Sequence, residues 1–191
     1  MNDQLRSLTP APVMSTTDQV FDAMYRAIIK LDLPPGTKVS EADISKQLGV
    51  SRQPVRDAFF RLSEKGFLLI RPQRATLITK ISEKGVRDAH FVRVALEAAC
   101  VVEATKLATN ADLAELQSLI NDQQRAIDAH EREKFHDLDE AFHKLICEIA
   151  GHGHVWTLIR EKKAQMDRVR FLTLSSDSQL AKDEHVRLFD A

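Results

Sequence analysis

The 191 residues hold only two cysteines, Cys100 and Cys147. That is too few for a disulfide framework, and it fits a reducing, cytoplasmic setting. No stretch approaches the roughly 20 consecutive apolar residues a membrane helix requires, so no membrane partner is expected. The first residues, MNDQLRSLTPAPVMSTT, lack the apolar core of a secretory signal. There is no internal repeat, and low complexity is confined to that Ser-, Thr- and Pro-rich start, read as a loose tail over 1–16. What remains is a chain 43% hydrophobic and 29% charged, the balance of an ordinary globular protein.

The net charge of −1 hides an asymmetry. Residues 1–81 carry 12 Lys and Arg against 8 Asp and Glu, whereas residues 82–191 carry 15 against 20. Within 46–80 the count is 8 against 2, and all seven histidines lie within 82–191. A basic patch beside an acidic partner suggests one module that faces nucleic acid and one that does not. Charge alone leaves an ordinary solvated surface as an equal alternative.

Helical periodicity starts at Asp18, with Val20, Met24, Ala27, Ile28 and Leu31 on one face. Leu33-Pro34-Pro35-Gly36 stops it. A short helix over Glu41–Leu48 follows, with Ile44 and Leu48 inward, and Gly49 suits its left-handed end. Ser51 is an N-cap residue and Pro54 falls in the first turn of the next helix, which runs to about Lys65. Phe67–Ile70 and Leu77–Thr79 read as two strands of a hairpin. This order is that of a winged helix-turn-helix, expected over 17–81.

Beyond Ile81 every signal is helical. Ser82 caps a helix to about Ala108, then Asp112–His130, Glu131–Ala150 and Val155–Leu174 follow. Ser175–Ser178 reads as a loop before a last helix from Gln179. The expected fold is mainly α: a DNA-binding domain with a small β-hairpin wing, then an all-helical bundle over 82–191.

In a helix-turn-helix the second helix lies in the major groove with its first residues at the base edges. Those residues are Ser51, Arg52, Gln53 and Arg56. Arg can bond guanine in a bidentate pair, Gln can pair with adenine, and Ser51 with nearby N–H groups can hold a phosphate. Lys46 offers a phosphate contact, and Arg71 and Arg74 at the hairpin tip could reach the minor groove. The competing reading, surface charges on an amphipathic helix, is outweighed by the whole supersecondary order.

Residues 20–80 resemble the N-terminal domain of the GntR family. The matching runs are Pro34-Pro35-Gly36-Thr37-Lys38-Val39-Ser40-Glu41 and Leu48-Gly49-Val50-Ser51-Arg52-Gln53-Pro54-Val55-Arg56-Asp57-Ala58, then Arg61-Leu62 and Gly66. The resemblance implies operator contacts by Arg52 and Arg56 and a wing in the minor groove. Ala75 stands where the family usually has Gly, which puts the wing contact in question. One recognition helix reads few base pairs, so a homodimer on a near-palindromic double-stranded operator is expected.

In the second half, Asp139 and His143 are i, i+4 on one helical face, where an oxygen and a nitrogen ligand can share a divalent cation. His185 could add a third ligand from the last helix. An exposed helical ion pair is the plainer reading, but flanking Phe135, Leu138, Phe142 and Ile146 turn that face inward. His136 and Cys147 are substitute ligands on nearly the same stripe, although Cys147 is more often core. Arg93 and Arg170 could fork onto an effector carboxylate, against structural ion pairs, Arg93 with Glu97 foremost. Trp156 reads as core.

The run Phe135–His143, with Arg93–Glu97 and Glu184-His185, resembles the FCD sensor domain of the FadR subfamily. This implies a cation, Zn with Ni or Mn as alternatives, at Asp139, His143 and His185, and a small carboxylate as effector. It also implies a fourth ligand roughly twenty residues beyond His185, whereas three ligands with an open position can still hold a metal. The chain ends at Ala191, so either a truncated C-terminus or an incomplete site is expected. The alternatives are a metalloenzyme-like helical domain and a constitutive DNA-binding dimer; no nucleophile with its base, or general acid pair, stands near the ligand set.

Overall fold

A computed structural model of the chain describes residues 14–71, 75–173 and 178–191. The first 13 residues of the expected tail, Arg74 at the wing tip, Leu174 and most of the Ser175–Ser178 loop lie outside the described residues. The chain divides into two compact units between Lys80 and Ile81.

The first unit runs α1 (Thr16–Ile29), β1 (Lys38–Val39), α2 (Glu41–Leu48), α3 (Arg52–Glu64), β2 (Leu68–Leu69) and β3 (Thr76–Ile78). α1 begins within the segment read as tail, because Ser15 caps it by accepting from the Asp18 N–H at 3.1 Å. It stops before Leu31, whose φ of 67° is incompatible with a continuing right-handed helix. The apolar faces of α1 and α3 meet: Val20, Met24, Ile28, Val55, Ala58, Phe59 and Leu62 are buried, with Phe67, Leu68 and Ile78 closing the core.

The hairpin has a third strand that the sequence reading lacked. The sheet order is β1-β3-β2, with Lys38 opposite Leu77 and Leu69 opposite Leu77 on the other side. Two residues are too few to show an alternating pattern. The chain after Pro34-Pro35 is drawn in by backbone bonds: Gly36 N–H donates to the Ile78 carbonyl and Ile78 N–H to that of Thr37, both at 2.9 Å.

The second unit contains α4 (Glu83–Leu107), α5 (Asn110–Asp128), α6 (Arg132–Ile149), α7 (Gly153–Lys162), α8 (Ala164–Thr173) and α9 (Ser178–Asp190). α5 starts two residues before the expected Asp112, since Thr109 and Asp112 form a reciprocal capping box. The single helix expected over Val155–Leu174 is two. They meet at Lys163, where ψ opens to −5° and the ammonium turns inward to Glu140 at 2.7 Å and Asp167 at 2.8 Å. α6 packs on α4 and α5 around Cys100, Leu116, Ile120, Phe142, Ile146, Cys147, Trp156 and Ile159. Each such buried apolar side chain contributes about 1.5–3 kcal/mol, as an upper figure. Among the described residues, no helix is long and apolar enough to cross a membrane.

Between α2 and α3 the turn is built locally. Gly49 takes φ 67°, Val50 N–H donates to the Ser45 carbonyl at 3.1 Å, and the Ser45 hydroxyl donates back to the Val50 carbonyl at 2.6 Å. Leu48, expected inward, is 39% exposed, because the chain leaves the helix there and Ile44 alone fills the α2 side. No atom lies within 4 Å of where a Gly49 Cβ would stand, so Gly49→Ala tests backbone conformation without a clash. Chemical denaturation should show a loss of about 1–2 kcal/mol, the cost of a left-handed non-glycine residue. An unchanged midpoint would contradict the assigned geometry.

Candidate functional site

Two groups of side chains carry chemistry, one in each unit. At the start of α3, Ser51, Arg52, Gln53 and Arg56 are all exposed. Ser51 is the N-cap position but makes no side-chain cap bond; the expectation that its hydroxyl caps α3 is corrected. Its extended backbone, rather than its hydroxyl, opens the helix. Gln53 donates to Asp57 at 2.9 Å and Arg56 reaches Glu41 on α2 at 3.3 Å. Both are exposed pairs that contribute little to stability, which leaves these side chains able to exchange partners. Lys46 on α2 and Arg71 beside the wing are exposed as well; Arg74 lies outside the described residues.

The second unit brings Asp139, His143 and His185 together, from α6 and α9. One potential ligand atom of each lies within 4.8 Å of the other two. Asp139 is fully buried and His185 only 5% exposed. The Asp139 carboxylate is not alone, as the inward face had suggested: Arg170 of α8 forks onto it, at 2.6 Å to Oδ2 and 3.0 Å to Oδ1. Burial pushes the Asp139 carboxyl upward, but the guanidinium outweighs burial and holds it far below the usual range. Burial of Asp139 therefore does not by itself require a metal.

The two histidines face one another, Nε2 to Nε2, at 3.3 Å. His185 Nε2 is also 3.6 Å from Asp139 Oδ1. Their outer nitrogens are each engaged: His143 Nδ1 lies 3.2 Å from Glu97 Oε2, and His185 Nδ1 lies 2.8 Å from Gln123 Oε1. A carboxylate can only accept, so His143 Nδ1 carries a proton. Phe142 stacks on the His185 ring at 4.3 Å. Burial, with His143 close by, lowers the His185 pKa to about 4 despite Asp139, so the ring is neutral at physiological pH. Glu97 is held below its ordinary value: burial opposes ionisation, and His143 and Arg93 overcome it.

The three residues line a cavity of about 320 Å³ that also takes in Arg93, Glu97, Arg170 and Glu184, with Val94, Met166 and Leu188 as apolar walls. Arg93 pairs with Glu97 at 2.7 Å and Arg170 with Asp139, so both arginines reach the cavity already matched to carboxylates. A second possible ligand group, His136, Asp139 and Glu140, shares Asp139; the Lys163 ammonium already sits on Glu140. Cys147 belongs to neither group. It lies in the core beside Cys100, and burial pushes its thiol up to about 12. Gln123 and Lys163 did not stand out in the sequence, although Gln123 interrupts the apolar series Leu116, Ile120, Ile127, a readable signal.

A winged helix-turn-helix followed by an all-helical domain is the build of a DNA-binding transcription regulator. The sequence pattern described as "Bacterial regulatory proteins, gntR family" matches residues 16–78, and the FCD domain matches residues 88–191. The HTH-type transcriptional repressor RspR of Escherichia coli K12 is 35% identical over 182 residues, covering 94% of this chain and 80% of the relative. An HTH-type transcriptional regulator in an unstable DNA locus of Streptomyces ambofaciens is 30% identical over 175 residues, 90% of this chain and 73% of that protein. The solved structure of E. coli McbR/YncC superposes with a TM-score of 0.71 at 23% identity, over 92% of this chain and 85% of that one, a likeness of fold. The chain belongs to the GntR family, in the branch that carries an FCD domain, and is a transcription regulator rather than an enzyme.

The lowered pKa of His185 fixes a pH dependence. Between about 4 and its unfolded value near 6.5, the unfolded chain binds a proton there that the folded chain does not. Stability contributed by neutral His185 is therefore full above that unfolded value and lost as pH falls through the window. Denaturation in the presence of a chelator should show the second unit weakening from pH 7 to pH 5, with a shallower slope in His185→Gln. Equal slopes in the two proteins would remove His185 from the account.

Proposed function

We propose that this regulator is a homodimer in the cytoplasm whose DNA affinity is set by a small carboxylate bound in a metal-containing helical domain. Residues 17–81 read the operator and residues 82–191 sense the effector. The observation that carries the metal is the convergence of three electron-rich atoms, His143 Nε2, His185 Nε2 and an Asp139 oxygen, each backed by a partner that fixes its direction: Glu97, Gln123 and Arg170. Ligands oriented from behind in this way are the usual arrangement of a metal site. Mixed nitrogen and oxygen donors suit Zn, with Ni or Mn as alternatives. A cation held there supplies positive charge and open positions to which an effector carboxylate can bind. Arg93 and Arg170 border the same space, and its volume suits a small organic acid.

A chelator should lower the melting temperature of the wild type and barely affect His143→Ala, because a ligand that binds only the folded chain adds to its stability by mass action. Extensively purified protein that takes up none of Zn, Ni and Mn, with no thermal shift, would reduce the cluster to an ion-pair network. Operator binding indifferent to chelator and to small acids would favour a constitutive dimer.

On the DNA side, Ser51, Arg52, Gln53 and Arg56 read base edges and phosphates from the start of α3, Lys46 contacts backbone, and Arg71 and Arg74 serve the wing. Two such helices, one per protomer, fit a near-palindromic site. Arg52→Ala should weaken specific binding by about 1–3 kcal/mol and relax base preference, whereas Lys46→Ala should mainly flatten the salt dependence. An equal loss on all sequences for Arg52→Ala would assign it to the phosphates instead.

A further inference from the structure

The apolar stripe of α5 carries one fully buried polar side chain. Gln123 has no exposure and lies between buried Ile120 and Ala126. A buried carboxamide is unfavourable unless its groups find partners, and here both ends do. Its Nε2 donates to the Leu138 carbonyl at 3.3 Å, one residue before Asp139 on α6. Its Oε1 faces His185 Nδ1, on α9, at 2.8 Å.

The α6 backbone decides which way the amide points. Reversed, the amide would set its oxygen against the Leu138 carbonyl oxygen, acceptor to acceptor. With Oε1 toward α9, the side chain can only accept there. The proton between Gln123 and His185 therefore belongs to His185 Nδ1. In a neutral imidazole the other nitrogen then carries a lone pair. That nitrogen, Nε2, is the one aimed at His143 Nε2 and Asp139 Oδ1.

We propose that Gln123 is a positioning residue that fixes the tautomer of His185, so that His185 presents an unprotonated Nε2 to a cation shared with Asp139 and His143. Its meaning for metal binding rests on the metal reading given above; the tautomer itself rests on the Gln123 contact, and in the metal-free chain the proton of the 3.3 Å Nε2–Nε2 contact then belongs to His143. With the proton on Nε2 instead, His185 would present an N–H to the cluster, and Gln123 Oε1 would face a lone pair. The same side chain ties α5, α6 and α9 together at the point where α9 delivers its ligand.

The test uses the full chain with 15N-labelled histidine, stripped by chelator, at neutral pH. Long-range nitrogen–proton spectra should give His185 the pattern of an Nδ1–H tautomer in the wild type. Gln123→Met keeps the shape without the acceptor and should shift His185 to an Nε2–H or mixed pattern. Gln123→Glu, with its second oxygen protonated toward the Leu138 carbonyl, retains an acceptor and should keep the wild-type pattern. Titration with Zn should then show an affinity 10–100-fold weaker in Gln123→Met than in wild type, the range for loss of an orienting partner, with Gln123→Glu closer to wild type. An Nε2–H His185 in the wild type overturns the proposal without any variant having to fold. So does an unchanged tautomer, or an unchanged Zn affinity, in Gln123→Met. A tautomer that switches as expected in a chain that binds no Zn supports the role of Gln123 and overturns the metal reading alone.

Discussion

The helical domain is organised around one buried carboxylate. Removing Asp139 from water costs several kcal/mol even after relaxation, and the fold meets that cost with a forked guanidinium from α8. The pair fixes the relation of α8 to α6 more sharply than apolar contact could, since a forked contact tolerates little change of angle. Lys163, the residue immediately before α8, repeats the device on Glu140 and Asp167. The break between α7 and α8 falls at this buried cation, so charge pairing rather than helix propensity marks the end of one helix and the start of the next.

The same carboxylate sets the surroundings of the histidines. His185 is neutral because burial outweighs the attraction of Asp139, whose charge is already matched by Arg170. Were Asp139 unmatched, it would draw a proton onto one of the rings and close the space between the two Nε2 atoms. Pairing with Arg170 thus leaves His185 neutral beside Asp139, while Glu97 and Gln123 hold the outer nitrogens of the two rings. The geometry of the cluster is set by three outward-lying partners as much as by Asp139, His143 and His185 themselves.

The first unit works by the opposite principle. Its candidate contacts are exposed, and their placement comes from backbone geometry: a left-handed Gly49, the reciprocal bonds of Ser45 and Val50, and an extended Ser51. Such features are written in consecutive residues. The turn, α2, α3 and the hairpin were therefore legible in the sequence, as were the i, i+4 placement of Asp139 and His143 and the buried Trp156. β1 was not, because two residues hold no period and its pairing partner lies nearly forty residues away.

What escaped the sequence in the helical domain has a common physical origin. Periodicity identifies which face of a helix turns inward, but not what a polar residue on that face will meet. Arg170 offered several readings because its partner, Asp139, is thirty-one residues distant and on another helix. Lys163 looked like any lysine within the single helix expected there, until packing placed Glu140 opposite it. Gln123 was marked by position alone, a polar residue in an apolar series, and its role depends on a backbone carbonyl of α6 and a ring nitrogen of α9 that no local pattern brings together. Local spacing could bring two ligands onto one face; only tertiary packing could supply the partners that orient them.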